Sequence, residues 1–553
     1  MVRERPRRAP GIVLMLTCLA SYAFFWQSRD WNSASRLMLT YALVDRRSLS
    51  IDGFERQCAD VEYGADGPLV RGGDIAYREG HFYSDKAPGL SFFGAIVYAI
   101  LPQRDGIKPH PIDRDAVPYW AADYWVTLGT SGLATALAAY IVYRFVLLLG
   151  APCWAAVTAG LAYGLGSPAF VYGTLFYGHN LTGLFLVTAL YTLARTLIAR
   201  SSPLSNALLC GLLVGLVPVV EYPAALASAA LAVAALFVFR RLSAVLVFAY
   251  GAVMGASLLL AYNYKAFGSP FTLSYEYEAS RMFQEVHSPD KPLGIRLDEP
   301  PDWKRLPELF WKQRRGLLWY APFFALATVG AVVLLFSRFW GILVTALVAV
   351  GAFIWVNLVY PAWDGGWCTG PRLLTATYPI LAVLAGGTFR LLRSRWLVLP
   401  AMVLVLVGVG VNLGCVAVGG RFPPVFDRPL EQVVLPRWRG EQPTEGGEGS
   451  VLGMLAGGAQ FERNLGHMLI GRLAEQLSEA GAGGEGAGRQ EGEADGGHVS
   501  FPAWLSEDRV KEILVDASGS WSRYRAIEFV PLLLLWAILL PVAFRFCPHR
   551  RRA

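Results

Sequence analysis

Pro88-Gly-Leu-Ser-Phe-Phe-Gly-Ala-Ile-Val-Tyr-Ala-Ile-Leu101 is the stretch on which the architecture turns. It runs uncharged for fourteen residues, yet a helix of that length rises only about 21 Å against a hydrocarbon core of about 30 Å. Read as a crossing, it would reverse the side of every loop that follows. Read as a helix lying along the membrane, or entering and leaving on one side, it puts the loops in an order that the arginines obey.

Around it, 54% of the 553 residues are hydrophobic and 16% are charged, too little polar surface for a water-soluble chain of this size. About twelve apolar runs of spanning length recur, beginning near Gly11, Ala121, Trp154, Leu181, Asn206, Ala224, Ser243, Gly316, Gly341, Leu373, Trp396 and Glu528. With the N-terminus inside, the cytoplasmic loops contain Arg144, then Arg195 and Arg200, Arg240 and Arg241, Arg338, Arg390 with Arg393 and Arg395, and Arg545 with Arg550, Arg551 and Arg552. Each is basic and none carries an acid, as short cytoplasmic loops should be. The expected fold is an all-α polytopic membrane protein, with about twelve transmembrane helices plus one juxtamembrane helix and both termini cytoplasmic. The basic start followed by an apolar run from Gly11 reads as an uncleaved signal anchor.

The same parity collects the long polar segments 27–119, 263–315, 361–372 and 419–527 on the outer face, together with the short connections at 177–180 and Glu221-Tyr222. Chemistry is therefore expected there. The net charge of +7 is scattered between apolar runs and forms no basic stripe, which argues against nucleic acid as a partner. Residues 1–420 form the membrane module, 421–526 an extracytoplasmic segment, and 527–553 the last helix and a basic tail. From about 442 to 498 Gly, Glu and Ala dominate, a composition that cannot offset chain entropy by burial and is expected to be disordered, with one helix over 461–479. Of seven cysteines, Cys18, Cys153, Cys210 and Cys415 fall in apolar runs and read as small hydrophobes. Cys58 and Cys368 share the outer face, where a disulfide between them would survive.

The first outer segment holds Asp30, Asp45, Asp52, Asp74 and Asp85. A carboxylate at headgroup depth can act as a general base; it can equally be a solvated loop acid, or a helix cap such as Asp30 ahead of Ser33. Lys86 stands just before Ala-Pro-Gly and the short apolar run, where its ammonium either binds a phosphate or snorkels. His179, on the turn Phe176-Tyr-Gly-His-Asn180, is either a structural hydrogen-bonding residue or a metal or substrate contact. Glu221, at the outer end of a span, needs a partner or a polar cavity. Arg314 and Arg315 break the positive-inside pattern, which suits a lipid phosphate or interfacial anchoring. The loop Tyr360-Pro-Ala-Trp-Asp-Gly-Gly-Trp-Cys-Thr-Gly-Pro-Arg372 combines tryptophan faces for sugar rings (Trp363, Trp367) with Asp364 and Arg372; a plain aromatic belt would need neither charge.

Over residues 1–420 the chain resembles bacterial polytopic glycosyltransferases of the C type (GT-C), the superfamily that includes protein O-mannosyltransferases and the aminoarabinose transferase of lipid A. Tyr83-Ser-Asp-Lys-Ala-Pro-Gly89 is similar to that family's acidic residue, lysine and proline before an interfacial helix, where the lysine contacts the carrier phosphate. Trp31-Asn-Ser-Ala-Ser-Arg36, Tyr262-Asn-Tyr-Lys-Ala-Phe-Gly-Ser-Pro270 and residues 363–372 are similar to a bacterial branch known as family 39 or lipid-carrier-dependent glycosyltransferases. The resemblance implies transfer of a sugar from a polyprenyl phosphate to a hydroxyl of a glycan, lipid or protein, on the outer face of the bacterial inner membrane. It implies a carboxylate base, taken in the order Asp52, Asp74, Asp30, and a phosphate held by Lys86 with Arg315 or Arg372. Arg36, Asp85, Trp363, Asp364 and Trp367 complete the binding set, and an optional divalent ion would be held by Asp85, His179 or Glu221. Many relatives carry an Asp-Glu pair after the first helix; here the residues are Asp30-Trp31-Asn32. A flippase for lipid-linked saccharide is the main alternative and would place acids or broken helices near the midplane. A non-catalytic envelope assembly protein is the other.

Overall fold

The structure, a computed structural model, describes residues 8–25, 27, 29–64, 67–102, 120–199, 203–284, 286–287, 300–392, 395–438 and 529–547. The segment expected to be disordered, and the helix expected over 461–479, lie outside these residues.

Among the described residues each expected span start falls within a helical element or directly before one; Glu528 lies outside these residues. In chain order the main helices are α1 (Ala9–Ala23), α2 (Trp31–Tyr41), α3 (Gly89–Ile100), α4 (Ala122–Leu148), α5 (Cys153–Gly164), α6 (His179–Ala199) and α7 (Pro203–Val220). They continue as α8 (Ala225–Val238), α9 (Leu242–Phe267), α10 (Leu326–Leu335), α11 (Trp340–Val359), α12 (Tyr378–Gly387), α13 (Val398–Ala417) and α14 (Val530–Arg545). Among the described residues seven helices are long and apolar enough to cross a membrane: α4, α6, α7, α9, α11, α13, and α12 with its flanking turns over Arg372–Arg390. The other expected spans are shorter apolar helices, and α5 has 12 residues. The span expected from Gly316 is broken, because Leu317–Tyr320 ends at Ala321 and a new helical course starts at Pro322. Proline supplies no N–H there and pushes the residue before it out of the helical region.

The short apolar stretch is α3, with 12 residues. It packs along α2: Tyr41 and Tyr98 rings lie 4.5 Å apart, and Ser91 Oγ donates to Arg36 O at 2.8 Å. Between α2 and α3 the chain makes two antiparallel hairpins, β1 (Ala59–Gly64) with β2 (Gly67–Gly73), and β3 (Ile75–Arg78) with β4 (His81–Ser84). Gly73 makes the corner between them with φ 132°; a Cβ there would meet Ala59 Cβ at 2.2 Å. A buried pairing of Arg29 with Asp123, which also accepts from Tyr41, ties this layer to the start of α4.

Below the loops, α7 and α9 touch backbone to backbone. A Cβ on Gly211 or Gly215 would lie 2.0 Å from Phe248 O or 2.1 Å from Ala252 O, and one on Gly251 or Gly255 would lie 2.5 Å from Leu208 O or Leu212 O. Small residues at four-residue spacing allow this approach, which replaces the hydrophobic drive that helices lack in lipid.

Two cysteine readings change. Cys153 is disulfide-bonded to Cys547, just past α14, where the sequence suggested a plain hydrophobe. Cys58 and Cys368 are free and buried, their thiols turned to the carbonyls of Phe54 (3.5 Å) and Asp364 (3.2 Å).

Gly215→Leu should force α7 and α9 apart and cost about 1–3 kcal/mol, as overpacking does. Gly341→Leu, where a Cβ meets nothing within 4 Å, should be close to neutral in the same thermal unfolding measurement in detergent.

Candidate functional site

Strand β4 ends by delivering Ser84, Asp85 and Lys86 into the interior. Ser84 Oγ accepts from the Lys86 N–H at 3.2 Å and pairs with Ser35 Oγ at 2.7 Å, fixing the strand end against α2. Lys86 Nζ lies 2.6 Å from Asp85 Oδ2 and 3.0 Å from Asp74 Oδ1. Burial would lower the ammonium's proton affinity, but the two carboxylates reverse that and hold its pKa well above the usual lysine value.

The segment after α9 closes over this pair. Ser274 Oγ donates to Asp85 O at 2.6 Å, and Glu278 Oε2 lies 3.0 Å from His287 Nδ1 while its Oε1 accepts from the Ser280 N–H. The Tyr275 ring stacks on His287 with centroids 3.8 Å apart, and His287 Nε2 lies 3.2 Å from the Tyr360 hydroxyl. Burial pushes Glu278 up to about 8, and burial together with Lys86 pushes His287 down to about 4.

Asp85, Glu278 and His287 each offer a ligand atom within 4.8 Å of the others. Asp85 Oδ1 is buried with no hydrogen-bond partner. Two carboxylates, one imidazole and an orphaned oxygen suit a divalent cation, so these residues fit the expected metal, with Glu278 and His287 in the places where the sequence suggested His179 and Glu221.

His179 and Glu221 pair with each other instead. His179 opens α6, Glu221 stands between α7 and the turn Tyr222–Ala224, and Nδ1 of the first meets Oε1 of the second. Burial would raise the Glu221 carboxyl, but His179 and then Arg36 outweigh it and leave it below the usual carboxylate range. The rings of Tyr172 and Tyr177 meet the His179 ring edge-on, 5.6 and 5.8 Å away.

A cleft of about 730 Å³, open mouth included, is lined by Arg36, Lys86, His179, Glu221, His287 and Arg372 among its charged and titratable groups. Tyr222, Tyr275 and Tyr360 add hydroxyls, and Val220, Ala224, Phe353 and Val356, from α7, α8's entry and α11, form an apolar wall. Arg36 is anchored by Ala87 O and Asn32 Oδ1, both at 3.2 Å. Arg372 lies over the Tyr177 ring at 5.5 Å, with its Nε unbonded. Among the described residues neither arginine has a carboxylate oxygen within 4 Å, although Arg36 acts on Glu221 from farther away.

The remaining expected residues fall elsewhere. Asp30 caps α2: its Oδ1 accepts from the Ser33 N–H at 2.8 Å, its Oδ2 accepts from the Tyr177 hydroxyl, and Arg421 lies 3.7 Å away. Asp52 receives the Phe82 N–H and His81, both at 2.7 Å, stapling β4 from the solvent side. Asp74 reaches the cleft only through Lys86. None of these three lines it. Arg315 is wholly buried and braces the 360–372 loop by donating to Cys368 O (2.8 Å) and Gly366 O (2.6 Å). Asp364 holds Arg314 at 3.1 Å and the Gly366 N–H at 3.0 Å. Trp363 faces the Arg305 and Arg314 guanidiniums, and Trp367 is exposed. Of that loop, Tyr360 and Arg372 line the cleft.

Glu278→Gln should weaken Mn²⁺ or Zn²⁺ binding at least tenfold in calorimetry, the lower end of what losing even an outer-shell metal partner costs. Asp30→Ala should cost about 1 kcal/mol through the lost cap. Burial raises the Asp30 carboxyl but Arg421, Ser33 and Tyr177 hold it below its ordinary value. Its stabilisation is therefore present above about pH 4 and lost as pH falls through the folded value, so the Tm gap between wild type and variant should close on acidification.

No protein-family model and no curated protein sequence matches the chain. Among solved structures it is similar to ArnT from Cupriavidus metallidurans bound to undecaprenyl phosphate, at 12% identity and TM-score 0.44, over 77% of this chain and 68% of that one. The apo ArnT structure gives 13% identity and TM-score 0.42 over 77% and 67%. The Archaeoglobus fulgidus oligosaccharyltransferase in its apo form gives 14% identity and TM-score 0.41 over 74% of this chain and 55% of that one.

Proposed function

We propose that this chain is a membrane glycosyltransferase that moves a sugar from a polyprenyl-phosphate carrier to an acceptor hydroxyl on the outer face of the membrane. The observation that carries the reading is the cleft wall itself, where Arg36, Arg372 and Lys86 meet an apolar surface of spanning helices and the one lining carboxylate, Glu221, is already matched by His179. A phosphate ester on a long hydrocarbon chain has the same two-part chemistry.

In this reading the carrier phosphate sits among Lys86, Arg36 and Arg372, and the isoprenoid runs along Val220, Ala224, Phe353 and Val356 toward lipid. The acceptor oxygen attacks the anomeric carbon on the face away from the phosphate as the bond from that carbon to the phosphate oxygen breaks. The electron pair stays on the phosphate, and the three cations stabilise the charge as it grows. A divalent ion held by Asp85, Glu278 and His287 would add positive charge beside the same phosphate.

The flippase reading is less well supported, because apart from Arg36, which lies within the short α2, the charged lining residues belong to loops and helix ends. His179 opens a helix, Arg372 opens a turn, and Glu221 stands between two helices; a transport site would place them mid-helix near the bilayer centre.

Purified protein given radiolabelled polyprenyl-phosphate sugars and a membrane extract should move label to an acceptor; if no donor yields transfer, the reading fails. Arg372→Gln and Arg36→Gln should each lower kcat/KM by about 10²–10³, the loss typical of removing one charge-stabilising donor. Lys86→Ala should also lower stability by about 3–5 kcal/mol, since it leaves buried carboxylates unpaired.

A further inference from the structure

We infer that His179, held by Glu221, is the group that accepts the proton of the attacking hydroxyl, a deepening that rests on the sugar-transfer reading above. The cleft supplies few candidates. Arginine does not give up its proton at working pH, and Lys86 is held protonated by Asp74 and Asp85. His287 has both ring nitrogens engaged, by Glu278 and by Tyr360. Asp30 and Asp52 have both carboxylate oxygens accepting bonds, and with Asp74 they lie off the lining. His179 and Glu221 remain.

The geometry then divides the labour between them. Glu221 Oε1 occupies Nδ1 of His179, while Nε2 makes no hydrogen bond among the described residues and the ring lines the cleft. A carboxylate on Nδ1 fixes the tautomer with the proton on that nitrogen, leaves the Nε2 lone pair free, and stabilises the imidazolium that forms. The edge-on rings of Tyr172 and Tyr177 set the plane of the imidazole. His179 is thus the catalytic residue and Glu221 a positioning residue.

In the transfer step the bond from the acceptor oxygen to the anomeric carbon forms as the bond from that carbon to the phosphate oxygen breaks. The hydroxyl proton passes to His179 Nε2, and the polyprenyl phosphate leaves with the electron pair. The imidazolium then returns its proton to the departing phosphate or to water, and the site is reset.

His179→Gly should lower kcat by about 10²–10⁴, the usual worth of a positioned acid or base, with carrier affinity unchanged, and added imidazole should restore part of the rate. Glu221→Gln should lower kcat with KM for the donor unchanged. Wild-type transfer combined with His179→Gly activity within a few-fold of it overturns this assignment and leaves the sugar-transfer reading standing. A dead variant that imidazole does not rescue, or that loses carrier affinity in step with rate, overturns it also, by making His179 a binding or structural residue. Absence of transfer by the wild-type protein removes the reaction and the assignment together.

Discussion

An ammonium group clasped by two carboxylates in a dry place fixes much else in this protein. The Lys86 pairing with Asp74 and Asp85 is nearly all buried, with Lys86 reaching the cleft, and such a cluster survives only if most of the remaining lone pairs and protons are met; Asp85 Oδ1 is left without a partner. Meeting the others takes the corner at Gly73, the hairpin that ends at Ser84, the α2 residues behind it, and the segment from Ser274 to His287. The three acids Asp74, Asp85 and Glu278 outnumber the one lysine beside them. Burial pushes Glu278 up, and the excess of acids gives the cluster the chemistry to take a further cation.

The architecture was legible because it rests on quantities a sequence carries locally. Run length and the shortness of residues 88–101 are both read without knowing any long-range contact. The cap role of Asp30 was legible for the same reason, since a cap reaches only its own first turn. Lys86, His179, Glu221 and Arg372 could be singled out as charges that apolar surroundings must account for, and all four line the cleft.

What the sequence concealed is what depends on folding back. Glu278 and His287 sit in an irregular segment with no period, and nothing in their nine-residue spacing says that Asp85 lies beside them. The only available hint was an acid and a histidine in an aromatic-rich outer segment. Arg315 was read as a phosphate ligand because a cation outside the positive-inside pattern needs a partner; the partner is a pair of loop carbonyls, an option that charge counting does not contain. Asp52 ranked first among the carboxylates, yet it holds a strand from the solvent side. The pairing of Cys153 with Cys547 joins residues 394 positions apart, beyond any local signal.

The glycine contact between α7 and α9 has a mechanical consequence. Two helices whose backbones touch cannot slide or tilt against each other without collision, so they behave as one beam. That beam ends beside Glu221 on one side and leads into the segment that carries Glu278 and His287 on the other. Facing it across the cleft, α11 and the loop that follows it contribute Phe353, Val356 and Tyr360.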